Sequence, residues 1–192
     1  MLRKLLVICF LFSTGSLFAQ TQPNANTDAN LKQSGMNPAA KTAPVTNDYI
    51  TNFKADGAPL PNFMIRTLDG RNITNDDVQY NANLLVMIFN PTCSHCEAMT
   101  DTLEKNMALF DQTKILMVVN PNYRPYLKTF EQKHHTANYP RMLIGLDSTK
   151  LIDRIYQYNM VPQINVYDKD RKLIKSFNTG ALPIDSLKNY IQ

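Results

Sequence analysis

The run Leu84-Leu85-Val86-Met87-Ile88-Phe89 is apolar without a break, the pattern of a β-strand covered on both faces. Ile115-Leu116-Met117-Val118-Val119 repeats it and is closed by the turn residues Asn120-Pro121-Asn122. Between the two runs, Met99, Leu103 and Met107 recur at four-residue spacing, which predicts a helix over 97–110 with one core-facing stripe. Upstream, Phe63-Met64-Ile65-Arg66-Thr67-Leu68 alternates apolar and polar residues and ends in Asp69-Gly70 before Asn72-Ile73-Thr74, a hairpin with a tight turn. Downstream, a helix over 124–135 presents Leu127 and Phe130, and Met142-Leu143-Ile144 reads as a short strand. Ser148 is placed to cap a helix over 151–158 that carries Leu151, Ile155 and Tyr158 on one face. Two strands, 163–167 and 173–177, flank the charged turn Asp168-Lys169-Asp170-Arg171. Asp185 is then placed to cap a last helix with Leu187 and Ile191 inward. Strands feeding helices first and a hairpin plus helix last give an α/β class: a central mixed sheet with helices on both faces and an N-terminal hairpin.

The N-terminal pattern is different. Arg3-Lys4, the apolar run 5–12 and the smaller residues up to Ala19 match the three regions of a secretory signal peptide, 1–19, cleaved before Gln20. That run is too short for a membrane span, which needs roughly 20 residues. Cys9 inside it reads as a small hydrophobe. Residues 20–48, rich in Asn, Thr, Ala, Gln and Pro, read as a flexible polar tether. The stretch 49–192 suffices for one domain around one core. The formal charge is +4, and losing the two cations Arg3 and Lys4 takes it to +2. With no basic stripe interleaved with aromatics, nucleic acid is excluded as a partner. Export, expected to the periplasm, would put the remaining Cys93 and Cys96 where disulfides persist.

Those two cysteines carry the chemistry. Cys93-Ser94-His95-Cys96 lies where the first apolar run gives way to the helical pattern. Thiols so spaced can form a reversible disulfide, and the positive end of a helix favours thiolate at the first sulfur. Two other readings stay open: half of a zinc site, for which Cys9 and the pair His134-His135 are the other candidate ligands, or an inert disulfide. Glu97 suits a first helical turn on dipole grounds alone and is also a candidate helper of Cys96. His134-His135 end a polar helix, where cationic side chains are favoured, with metal ligation as the second reading.

Pro59-Leu60-Pro61-Asn62-Phe63, Asp69-Gly70, the segment from Phe89 through Cys93-Ser94-His95-Cys96, and Val161-Pro162 together resemble the thioredoxin superfamily, in its exported TlpA-like branch, over roughly 58–192. The resemblance implies a thioredoxin-like fold with extra structure in the stretch 119–158, and no bound cofactor. It implies that Cys93 attacks, Cys96 resolves, and His95 stabilises the Cys93 thiolate, making the disulfide a better oxidant. It also implies a cis bond before Pro162, with the proline against the dithiol and the Val161 backbone open to a substrate peptide. The implied partners are protein dithiols or disulfides and a membrane or soluble redox partner. Two positions depart from the pattern: Thr92 replaces the usual Trp, and Met87 replaces a buried acid, leaving Cys96 to water, Glu97 or another group for proton transfer.

Three functions follow. One is an exported thiol–disulfide oxidoreductase. Another is a copper-handling protein using Cys93, Cys96 and a distant histidine, because thiolates select Cu(I). The last is a tethered, non-catalytic binding domain with a structural disulfide. The dithiol together with Val161-Pro162 favours the first, since neither a metal nor a staple needs a proline at a peptide-docking position.

Overall fold

The computed structural model describes residues 53–191, apart from 80 and 179. The expected signal peptide, Cys9 and the tether lie outside the described residues.

Seven strands form one mixed sheet: β1 (Met64–Arg66), β2 (Asn72–Thr74), β3 (Leu84–Phe89), β4 (Lys114–Val119), β5 (Met142–Asp147), β6 (Gln163–Tyr167) and β7 (Leu173–Phe177), in the spatial order β2-β1-β5-β4-β3-β6-β7. The three central strands β3, β4 and β5 run parallel, and the flanking ones pair antiparallel. Four α-helices follow in chain order: α1 (Ser94–Lys105), α2 (Arg124–Lys133), α3 (Leu151–Tyr156) and α4 (Asp185–Lys188).

All six residues of β3 are buried, because side chains of one strand alternate between two faces and both faces are covered. On one face Leu85, Met87 and Phe89 pack with Ile115, Met117 and Val119 against Met99 and Leu103 of α1, Leu127 and Phe130 of α2, and Leu187. On the other, Leu84, Val86, Ile88, Leu116 and Val118 meet Phe63, Val78, Ile155 and Tyr156. Two right-handed crossovers stepping the same way, β3 to β4 and β4 to β5, put α1 and α2 on one side. The chain then passes back to the other side of β3, and α3 covers the opposite face on the way.

Four details differ from the sequence reading. The helix predicted over 97–110 begins at Ser94 and ends at Lys105, with a separate 3-10 turn at Met107–Phe110. The short strand at 142–144 is a six-residue interior strand whose extension was masked by Gly145. A Cβ there would sit 3.0 Å from the Arg66 carbonyl carbon and oxygen, so glycine is what lets β1 close onto β5. Ser148 does not cap α3: its hydroxyl contacts the Leu146 carbonyl at 3.5 Å, and the cap position is Lys150, at φ 52°. Nor does Asp185 cap α4, of which it is the first residue, preceded by Ile184 in helical conformation.

Candidate active site

Cys93 occupies the N-cap of α1 in extended conformation, and the Glu97 N–H donates to its carbonyl at 3.0 Å. The loop before it is shaped by Asn90. The Asn90 side-chain oxygen accepts from the Thr92 N–H at 2.9 Å and the Thr92 hydroxyl at 2.8 Å, while its carbonyl accepts from the Cys93 N–H at 3.1 Å. This Asx turn converts the end of β3 into the start of α1 and sets Cys93 half-exposed at the surface. The sequence reading included Asn90 in the motif but gave it no role of its own, although the dipeptide Asn90-Pro91 is itself a turn signal.

One helical turn on, Cys96 points into the core and is fully buried beside Met99. The Asn90 N–H lies 3.5 Å from its sulfur. Both cysteines are free thiols. Burial pushes the Cys96 thiol up to about 12, with smaller upward contributions from Cys93 and Glu97 against the downward pull of the Asn90 amide. The two sulfurs thus sit in unlike surroundings, one open and one sealed.

From the other side the loop before β6 approaches. The Val161-Pro162 peptide bond is cis, and the Val161 carbonyl oxygen lies 3.8 Å from the Cys93 sulfur. The structure therefore brings the Cys93-to-Cys96 motif and Val161-Pro162 together from two separated stretches of sequence. His95 is exposed in the first turn of α1. Glu97 pairs with Lys133 of α2 at 2.9 Å, so its carboxylate is engaged with a lysine. Met87 is fully buried in the core. Met160, next to Val161, is 53 % exposed in a chain without tryptophan.

Sequence reasoning also missed the line Tyr158, Asp153 and Asn120. The Tyr158 hydroxyl donates to Asp153 at 3.1 Å, and Asp153 accepts from the Asn120 amide at the end of β4. Burial holds the Tyr158 hydroxyl above its usual range, helped by Asp153, Tyr123 and Cys96.

The histidine pair separates. His135 leaves the helix in left-handed conformation, whereas His134 is 2 % exposed and packs on the Phe130 ring. Its imidazole is held below its usual range by burial above all, against the upward pull of Asp101. It also faces carboxylates and not the thiols. Among the described residues, the group of three or more potential metal-ligating side chains is Asp101, Glu104 and His134, without either cysteine.

No protein-family model matches the sequence, and no curated protein matches it either. Solved structures do match. The thioredoxin domain of a thiol-disulfide oxidoreductase from Bacteroides vulgatus superposes with a TM-score of 0.61 at 20 % identity, covering 72 % of this chain and 99 % of that one. The fold is that of thioredoxin. A secreted Mycobacterium tuberculosis disulfide oxidoreductase homologous to E. coli DsbE shares it with a TM-score of 0.57 at 18 % identity, over 67 % of this chain and 93 % of that one. A thiol:disulfide interchange protein from Bacteroides sp. gives 0.58 at 18 % identity, over 71 % and 90 %. In this thioredoxin fold the dithiol lies where β3 feeds α1, and the stretch between β4 and β6 holds α2, β5 and α3. Among the described residues no helix is long and apolar enough to cross a membrane.

Proposed function

We propose that this chain is an exported thiol–disulfide oxidoreductase that exchanges a Cys93–Cys96 disulfide with protein substrates. The observation that carries the reading is the contrast between the two sulfurs. Cys93 is half-exposed at a helix N-terminus, 3.8 Å from the Val161 carbonyl, and Cys96 is sealed one turn below with its thiol held protonated.

In the reducing direction the Cys93 thiolate attacks one sulfur of a substrate disulfide. A Cys93–substrate disulfide forms, the substrate's own S–S bond breaks, and the departing sulfur takes up a proton. Cys96 then loses its proton and attacks the Cys93 sulfur, expelling the second substrate thiolate and leaving Cys93–Cys96 oxidised. The reverse sequence oxidises a dithiol, so the same groups serve either flow of electrons. The high Cys96 value keeps the second thiol from competing for substrate, and the Asn90 N–H is positioned to stabilise its sulfur as charge develops. The exposed Val161 loop with Met160 offers backbone and apolar contact to an extended peptide. Export rests on the N-terminal pattern of Arg3-Lys4, the apolar run and Ala19. The similar structures, a thiol-disulfide oxidoreductase domain and a secreted disulfide oxidoreductase, support this reading.

Trapping tests it. Cys96→Ser should accumulate mixed disulfides through Cys93, visible on non-reducing gels and lost on reduction, while Cys93→Ser should accumulate almost none. Equal trapping by both variants, or by neither, sinks the exchange mechanism and leaves a structural disulfide.

A further inference from the structure

Two turns beyond the thiols, α1 carries Asp101 and Glu104, one helical turn apart and facing the end of α2. There the His134 Nδ1 lies 3.1 Å from the Asp101 Oδ1 and 3.7 Å from the Glu104 Oε1. The potential ligand atoms of all three side chains lie within 4.8 Å of one another. Acidic residues on an exposed helix often cluster without consequence. Here burial sets the group apart. The His134 side chain is 2 % exposed and the Glu104 side chain 15 %. The Glu104 Oε1 and the His134 Nε2 are shut off from solvent without a hydrogen-bond partner.

One imidazole N–H can satisfy one acceptor, yet two carboxylates converge on Nδ1. Asp101 takes it, and the Glu104 oxygen is left desolvated beside a second carboxylate, an arrangement that costs free energy unless a cation joins it. Burial, with Asp101 second, accordingly pushes the Glu104 carboxyl up to about 7.

We propose that Asp101, Glu104 and His134 form a binding site for a divalent first-row metal ion. Two donors each about 2.1 Å from one ion stand roughly 3.0 to 3.4 Å apart in octahedral or tetrahedral geometry. The observed 3.1 Å falls inside that range and the 3.7 Å lies a few tenths of an ångström beyond it, so small side-chain rotations complete the set. Binding through Nδ1 takes the imidazole as its Nε2–H tautomer, with both carboxylates ionised, and the ion must offset the cost of leaving that buried N–H without an acceptor. Asp101, half-exposed, leaves an open side for water ligands and for entry of the ion. One nitrogen and two oxygens make a borderline-hard donor set, unlike the soft dithiol at the other end of the helix. The site therefore stands or falls apart from thiol exchange.

The probe is Mn2+, which carboxylates favour and thiolates do not. Free Mn2+ is followed by electron paramagnetic resonance during titration into the full chain. About one ion should bind per chain, and Glu104→Gln and Asp101→Asn, both isosteric, should each weaken binding at least about tenfold, the scale seen even for outer-shell partners of metal sites. The unfolding temperature of the parent should rise with Mn2+, and that of either variant should not. No depletion of free Mn2+ at up to millimolar concentration, or equal binding by parent and variants, overturns the proposal.

Discussion

Helix α1 holds two unlike chemistries, and its first and last turns repay comparison. At the first turn, Cys93 and Cys96 are neighbours in sequence, and the helix itself divides them into an open and a sealed thiol. At the last, Asp101 and Glu104 mean nothing until α2 brings His134 against them from some thirty residues downstream. The first cluster is made by local spacing, the second by packing. Reactivity at the first comes from exposure at a helix N-terminus. At the second it comes from polar groups that folding has stripped of water.

The largest effect that could break this comparison is the reactivity gap between the thiols. With its thiol near 12, Cys96 is ionised to only about one part in ten thousand at pH 8. Iodoacetamide should therefore label Cys93 in the folded reduced chain and leave Cys96 unlabelled until denaturant is added, as read by mass spectrometry. Comparable labelling of both would mean that the first turn does not separate them. The sign of the linked stability follows. The folded-state value of Cys96 is raised above its ordinary value of 9.0, so its contribution is full below about 9 and is lost as pH rises towards 12. Urea midpoints of the reduced chain should fall over that window, and a Cys96→Ser variant should lose less.

A middle-sized effect sharpens the comparison by loosening the helix between its two ends. Leu103 is fully buried in the core cluster that also holds Cys96. Leu103→Ala should cost about 2 to 5 kcal/mol through lost burial and the cavity left behind, measured by urea unfolding. A loss under about 1 kcal/mol would show that α1 is not anchored there.

The smallest expected effect concerns His95, exposed in the first turn of α1. If its side chain stabilises the Cys93 thiolate, His95→Ala should make the dithiol couple more reducing by up to about 30 mV, equivalent to about 1.4 kcal/mol for two electrons. Equilibration with glutathione measures it. An unchanged or less negative potential would confine His95 to the surface of the loop.

Strand and helix order was legible in the chain because buried parallel strands are written as unbroken apolar runs, as in 84–89 and 115–119, and because Met99 and Leu103 repeat at helical spacing. The dithiol was legible too, since Cys93-Ser94-His95-Cys96 needs only local spacing and a strand before it. Caps and strand ends read less well. Ser148 and Asp185 are good capping residues by type, but the helices start from Lys150 and Ile184, and helix ends are the part of an element that local pattern fixes least. Gly145 hid half of β5 because glycine is a poor strand former, and only the closeness of the Arg66 backbone explains its place.

The sequence by itself determined the fold class, the order of elements and the reactive pair, all properties of hydrophobic period and near-neighbour spacing. Tertiary structure alone decided that Val161 stands over Cys93, that Glu97 is taken up by Lys133, and that His134 is buried beside two carboxylates. The physical reason is that desolvation and long-range juxtaposition set the charge state of a group, and neither is a property of its neighbours in sequence.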